Sequence, residues 1–408
     1  MPLGIYISVP FCRTKCSYCN FASDVSSRRA FQRYVERVCA DLEYADQIVS
    51  QTGGQMEHLV DSIYLGGGTP TVLETAQLER IFAAVRRNFD VTPAAEITVE
   101  CAPATLTPAV LEALLRCGVN RVSLGVQSWA DREAAAVGRL HKRVTVLEDI
   151  ASLRQAGISN INVDLIAGLP HQTSQSWDFS MGETLAVSVP HVSVYMLEVD
   201  DDSRLGRELI AGGARYHAHF VPDEEATADF YLAACERLQS AGIAQYEISN
   251  FARAGFESRH NLKYWTRQPY LGFGVDAHSM LPATNEKSHD REARCLSHCG
   301  NRAVRFSTPD SLELYMAETS PSLTLIDDHA ALEESFFLGL RLTRGLDLHQ
   351  IAAQFGEGAI ENLSATIAEF VENGLLVRDD HRICLSAGGR LLSNEVFQRF
   401  ISLAPAAT

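Results

Sequence analysis

The sequence predicts an α/β fold: a partial (β/α)6 TIM-like barrel followed by a mostly helical, winged-helix-like domain. Three observations carry this expectation. Short β-branched runs alternate with helical segments through the first half of the chain. Turn signals stand where the helices must stop, and the last stretch runs helix, helix, two-strand hairpin.

The runs are Gly4–Val9, Ser62–Leu65, Glu96–Glu100, Arg121–Val126, Asn160–Ile166 and Val192–Leu197. They are apolar at most positions, as strands covered on both faces should be. Between them, Phe31, Tyr34, Val35, Val38, Leu42, Ala45 and Ile48 recur at three-to-four-residue steps. Leu78, Ile81, Phe82 and Val85 repeat the pattern, as do Val110, Leu111, Leu114 and Leu115, and then Val146, Leu147, Ile150 and Leu153. Each set forms one apolar stripe of a helix. Cys117-Gly118 and Ala156-Gly157 supply helix stops. Strand–helix repeats imply parallel strands with right-handed crossovers, and six units are too few to close an eight-fold barrel. In such folds chemistry gathers at the carboxyl ends of the strands.

The expected division is residues 1–203 for the partial barrel, 204–305 for an extension completing the barrel side, and 306–408 for the C-terminal domain. The extension holds a helix (Glu224–Gln239), a strand (Ala244–Ile248) and long irregular stretches. The C-terminal domain holds helices at Asp310–Met316, Ala330–Leu342, Leu348–Phe355 and Ile360–Asn373, then strands Leu375–Arg378 and Arg382–Leu385 and a closing helix from near Gly389.

The chain has 408 residues, with 35 Lys and Arg against 51 Asp and Glu, a net charge of −16. That balance excludes general binding of polyanions, nucleic acid included. The hairpin turn Val377–Arg382 is not strongly basic, so the winged-helix-like tail reads as a lid or docking module. No apolar run approaches the ~18 residues of a membrane span. The opening MPLGIYISVPF has neither a basic start nor a small-residue cleavage site, so a cytoplasmic location is expected. Ten cysteines in that compartment are not structural disulfides.

Cysteine spacing gives the sharpest signal. Cys12-x3-Cys16-x2-Cys19 follows the first strand directly. Soft thiolates select iron–sulfur clusters or zinc. Structural zinc takes four ligands, yet no histidine precedes His58, and Cys39 lies among the apolar positions of a helix. A [4Fe–4S] cluster usually takes four cysteines; held by three, it keeps one iron open. The alternative is three reduced loop cysteines. Gly66-Gly67-Gly68-Thr69-Pro70 follows the second strand. It is either a place where backbone approaches a ligand or a tight barrel turn, and without a GK[ST] element it is not a Walker loop.

Glu100, Gln127, Arg139 and Asp164 stand at later strand ends or in the loops that follow. Polar groups in a buried mouth are costly unless paired or liganded. In His260-Asn261-Leu262-Lys263-Tyr264-Trp265, an imidazole beside Tyr and Trp could ligate heme iron. It could equally be a histidine fixed by hydrogen bonds, with Trp265 as core. Cys295-x3-Cys299 with His298 could hold a metal or stay free. Cys39, Cys117, Cys235 and Cys384 read as small buried groups, whereas Cys101, beside Glu100, could face the pocket.

The CxxxCxxC spacing, with aromatic Tyr18 before the third cysteine, resembles the hallmark of the radical S-adenosylmethionine (SAM) family. The resemblance implies that Cys12, Cys16 and Cys19 hold a [4Fe–4S] cluster. Its open iron would chelate SAM, whose reductive cleavage yields a 5′-deoxyadenosyl radical. Gly67, Gly68 and Thr69 then look like the segment that hydrogen-bonds the SAM amino group. Glu100 would hold the ribose and Arg139 the carboxylate, with Gln127, Asp164, Tyr6, Tyr18 and Phe21 completing the pocket.

Segments GIYISVPFC, YLGGGTPT, RVSLGVQS, DLIAGLP, YEISNFAR, HNLKYW and YLGFGVDAHS, with ESFFLGLRLTRGLD and ENGLLV near the end, resemble one branch. It contains the oxygen-independent coproporphyrinogen III oxidases and the HemW-type heme chaperones. The oxidase carries a further cysteine two residues past the third ligand, where this chain has Phe21, and a long extension where this chain has eleven residues before Cys12. Both departures favour the chaperone. The implied partners are heme or another tetrapyrrole, a client hemoprotein, a membrane-associated respiratory complex and an electron donor. The alternatives are oxidative decarboxylation of coproporphyrinogen propionates and a heme carrier whose cluster is regulatory.

Overall fold

The computed structural model describes residues 1–284, 302–317 and 320–401. Six parallel strands follow one another across its main sheet: β1 (Leu3–Val9), β2 (Leu59–Gly67), β3 (Asp90–Cys101), β4 (Arg121–Gln127), β5 (Asn160–Ala167) and β6 (His191–Met196). Each coincides with an expected run, and each connection carries at least one helix. The partial barrel is therefore observed.

Six further strands of this sheet were not all legible: β7 (Ala244–Gln245), β8 (Asn250–Ala252), β9 (Tyr270–Phe273), β10 (His278–Pro282), β11 (Ala303–Ser307) and β12 (Ser322–Ile326). The strand β9 lies parallel to β1 on its outer edge, while β10, β11 and β12 continue antiparallel beyond it. On the far side β8 closes antiparallel against β6. Strands of two to five residues are too short to display a period.

The parallel strands are two-faced in a way the apolar runs did not suggest. Their outward residues, such as Ile5, Ile7, Ile63, Leu65, Val99, Val122, Leu124, Ile161, Val163 and Val192, join helix residues Tyr34, Val38, Leu78, Val85, Leu114 and Leu153 in one core. The inward positions are polar: Ser62, Thr98, Ser123, Asn162, His191 and Ser193 are buried. A TIM barrel fills this space with branched apolar side chains; here it is left for hydrogen bonding.

The expected boundary at 305/306 falls inside β11, and β12 also belongs to the large sheet. A second core begins after it, built from Phe336, Leu340, Ile351, Ile367, Phe370, Ile383, Val396 and Phe400. It carries the expected hairpin, β14 (Leu376–Asp379) and β15 (Arg382–Leu385), with β13 (Leu346–Asp347) added to its edge. Buried Glu334 fastens this part to the barrel, accepting from Arg267 Nε at 2.9 Å and meeting Arg305 at 2.8 Å. Among the described residues, no helix is long and apolar enough to cross a membrane.

Candidate functional site

A cavity of about 370 Å³ opens at the carboxyl ends of the strands. Its wall includes Cys12, Cys16, Cys19, Tyr18, Phe21, Gly67, Gly68, Thr69, Glu100, Gln127, Arg139 and Asp164, so twelve of the fourteen expected site residues meet there.

The cysteine loop is held by its backbone. Cys12 N–H donates to Asp24 O, Ser17 N–H to Val137 O and Cys19 N–H to Cys16 O. Lys15 Nζ donates to Phe21 O at 3.1 Å and Ser23 O at 2.9 Å, closing the loop from below. The three thiols are free and half-buried. Thr69 Oγ1 stands 3.7 Å from Cys12 Sγ. Burial raises the Cys19 thiol above its usual range. Among the described residues, the His/Cys/Asp/Glu trio whose ligand atoms all lie within 4.8 Å is Asp347, His349 and His381, not these cysteines. A single zinc with sulfurs near 2.3 Å would need them closer. The donor set fits a polynuclear cluster better than one ion.

The glycine segment is shaped by the cysteine loop itself. A Cβ on Gly68 would lie 2.7 Å from both Val9 O and Phe11 O. Gly68 N–H donates to Val9 O, and Thr69 N–H to Phe11 O. The segment is a tight turn against the cysteine loop, and Gly67, Gly68 and Thr69 also line the cavity.

Arg139 crosses beneath Gly125, where a Cβ would stand 3.4 Å from both of its terminal nitrogens. One of these donates to Tyr18 OH at 3.1 Å, and Nε is buried without a partner. An orphaned guanidinium N–H beside three thiols fits an anionic group such as the carboxylate of SAM. Gln127 adopts φ +67° at a bulge in β4, which turns it toward the same space.

Glu100 Oε1 accepts from Tyr64 OH at 2.8 Å. Burial, joined by the charge of Asp164, pushes its pKa up to about 7. Asp164 accepts from Ser123 Oγ at 2.9 Å and Asn162 Nδ2 at 2.7 Å, and burial raises it too. These carboxylates can hold hydroxyls such as those of a ribose. Sequence reasoning missed Arg121, Ser123, His141, Asn162, Ser193, Tyr195, Asn250 and Asn261, all on the cavity wall. The alternation in Asn160-Ile161-Asn162-Val163-Asp164 was the available signal. His141 is held neutral by burial, its pKa down to about 4.

Two expected residues lie elsewhere. Tyr6 faces an adjoining cavity of about 270 Å³ with Tyr264, Tyr270, Asp276 and His278; Phe21 and Gly67 border both spaces. The arrival of β9 beside β1 creates that second space. His260 faces neither cavity. It is 1% exposed, with Nδ1 3.0 Å from Ser62 Oγ and Nε2 2.8 Å from Tyr264 OH. Burial, with the charge of Lys263, drives its pKa down to about 3. With both nitrogens engaged, it offers no lone pair to heme iron, and the reading of a hydrogen-bonded histidine replaces that of a ligand. Trp265 is half-buried rather than core, with the Arg341 guanidinium 4.3 Å above its ring. Cys101 is buried on the cavity wall; Cys235 and Cys384 are only partly buried. Cys295, His298 and Cys299 lie outside the described residues.

Comparison with known proteins follows this geometry. The radical SAM superfamily profile matches residues 6–181, and that of the HemN C-terminal domain matches residues 326–392. Heme chaperone HemW of Bacillus subtilis is 31% identical over 97% of this chain and 98% of its own length. Heme chaperone HemW of Synechocystis is 34% identical over 86% of this chain and 81% of its own. The solved structure of coproporphyrinogen III oxidase HemN of Escherichia coli, a radical SAM enzyme, superposes with a TM-score of 0.79 at 22% identity, covering 98% of this chain and 90% of that one. That likeness shows the fold. Taken with the full-length relatives, it means that the chain belongs to the HemW family of radical SAM proteins.

Proposed function

We propose that this chain is a heme chaperone that carries a [4Fe–4S] cluster on Cys12, Cys16 and Cys19, binds SAM in the strand-end cavity and delivers heme to a client hemoprotein. The observation that carries it is the full-length similarity to curated heme chaperones together with the cysteine loop opening onto the polar cavity. When bound, the cluster would supply an open iron for SAM and one electron for its cleavage.

The chain's own residues would do the rest. Arg139, with its unpartnered Nε, neutralises the SAM carboxylate, and Gly67, Gly68 and Thr69 bring backbone close to the amino group. Glu100, oriented by Tyr64, accepts from the ribose hydroxyls, and Gln127 and Asp164 bound the remaining space. Buried aliphatic packing closes the outer face of the strands, and SAM filling the cavity would displace water from the inner wall. Phe21 occupies the position at which the oxidase has its extra cysteine, and it is exposed at the rim, where heme can approach.

The test is anaerobic reconstitution, heme titration read by the Soret band, and transfer to an apo-hemoprotein such as apomyoglobin. Cluster absorption should vanish in each of Cys12→Ala, Cys16→Ala and Cys19→Ala. The intact protein should bind micromolar heme and release it to the acceptor, and should form no decarboxylated product from coproporphyrinogen. Absence of heme binding, or porphyrinogen turnover, would overturn the proposal.

A further inference from the structure

The barrel interior holds a cation without a partner. Arg121 opens β4 and lines the cavity wall, yet the residue is only 2% exposed. Its Nε is buried with no hydrogen-bond partner, and among the described residues no carboxylate pairs with its guanidinium. The inward carboxylates take their hydrogen bonds elsewhere, although the Arg121 charge still lowers Glu100 and Asp164 against the burial that raises them. Glu96 accepts from the backbone N–H groups of Arg259 and His260, Glu100 from Tyr64, and Asp164 from Ser123 and Asn162. The interior's other deep cation, Lys263, meets Asp61 at 2.8 Å.

Register adds a second, independent observation. Thr98 on β3 and Asn160 on β5 stand directly beside Arg121. Thr98 Oγ1 and Asn160 Oδ1 are likewise buried without partners. Of these, the Thr98 hydroxyl can donate to an anion, whereas Asn160 Oδ1 is an acceptor suited to a guanidinium N–H and not to a carboxylate. Bridging water satisfies dipoles, and Glu100 and Asp164 offset part of the guanidinium charge from a distance, but no carboxylate among the described residues meets its fork directly.

We propose that Arg121, flanked by Thr98 and Asn160, is the receptor for a carboxylate on a ligand that enters the barrel beneath the cysteine loop. A guanidinium fork matches a carboxylate in a bidentate fashion, and the Thr98 hydroxyl can donate to the same group. The inference rests on the proposed function for the identity of that ligand. Arg139 already meets the SAM carboxylate in the proposed function, so the source is a propionate of the tetrapyrrole; a response of the SAM pair would instead move that carboxylate to Arg121.

The experiment uses the cluster-loaded full chain and compares the wild type with Arg121→Met and Arg121→Lys. One arm titrates SAM and 5′-methylthioadenosine, which lacks the amino-acid carboxylate. The other titrates protoporphyrin IX and its dimethyl ester, read by porphyrin fluorescence. Circular dichroism and cluster absorbance control for folding. Arg121→Met is expected to weaken the carboxylate-bearing member of one pair about tenfold or more, the size of a lost charge-assisted hydrogen bond. Its carboxylate-free counterpart should stay within about twofold, and Arg121→Lys should recover part of the loss. The pair that responds identifies the source. Unchanged binding in both pairs, or equal loss with and without the carboxylate, overturns the assignment. If the wild type binds neither porphyrin, the chaperone reading fails while the SAM arm still decides the role of Arg121.

Discussion

Glu100 sets up a stability that falls as pH rises. Its carboxyl titrates at about 7 in the folded chain against an ordinary 4.5, because burial disfavours the anion and Asp164 adds its charge. Below about pH 4.5 both folded and unfolded chains hold the proton, and the group costs nothing. Between 4.5 and 7 the unfolded chain ionises first, so stability drains away; above 7 the cost is complete. At ~1.4 kcal/mol per tenfold this amounts to on the order of 3 kcal/mol, reduced by solvent entering the cavity. Glu100→Gln removes the charge and keeps an acceptor for Tyr64 OH. The cluster-free, SAM-free variant should therefore gain on the wild type by on the order of 2 kcal/mol between pH 5 and pH 8, while losing affinity for SAM. Equilibrium urea unfolding reports this through Trp129 and Trp177, both buried in the barrel. Parallel pH profiles for the two proteins would refute the reasoning.

Gly68→Ala should leave circular dichroism unchanged but lower SAM affinity about tenfold or more, because its Cβ displaces the Val9 and Phe11 carbonyls on which the cysteine loop hangs; iron content and SAM titration check it. His260→Ala should cost about 2–4 kcal/mol of stability through a lost ring and two lost hydrogen bonds. It should not alter heme affinity, and a heme defect in a stable variant would reverse that assignment. Glu334→Gln should loosen the C-terminal part by on the order of 3 kcal/mol, since it leaves Arg267 and Arg305 without their shared anion. Limited proteolysis between residues 302 and 346 is the readout.

Six long strands, their helices and the cysteine loop were legible because each writes a period or a spacing of its own. The two-faced character of the strands was visible in Asn160-Ile161-Asn162-Val163-Asp164 but masked by Val and Ile on the outer face. Beyond the strand expected at Ala244–Ile248, where β7 lies, the later strands β8 to β12 were not legible, since they derive their pairing from distant partners rather than from local pattern. Glu100, Gln127, Arg139 and Asp164 could be picked out as polar groups at strand ends. Tyr6 and His260 could not be placed, because the direction a side chain takes there depends on β9 and on the helix Arg259–Trp265, both far along the chain.

The first strand of this protein waits for a partner made two thirds of the way along the chain. Leu3, Ile5, Ile7 and Val9 lose all exposure in the finished fold, yet one edge of β1 is completed only by Tyr270–Phe273, and the amino-terminal Pro2 carbonyl is tied down only by Lys263. At about 5–20 residues per second, the roughly 200 residues that separate β2 from β9 leave the ribosome over about 10–40 s. During that interval an oily, half-paired ribbon is bare to neighbours, and the cysteine loop has no fixed anchor at its entrance. Under the proposed cluster assignment, loading with iron would wait until two thirds of the polypeptide has emerged, and a chain truncated before residue 270 should aggregate rather than form a working half-barrel.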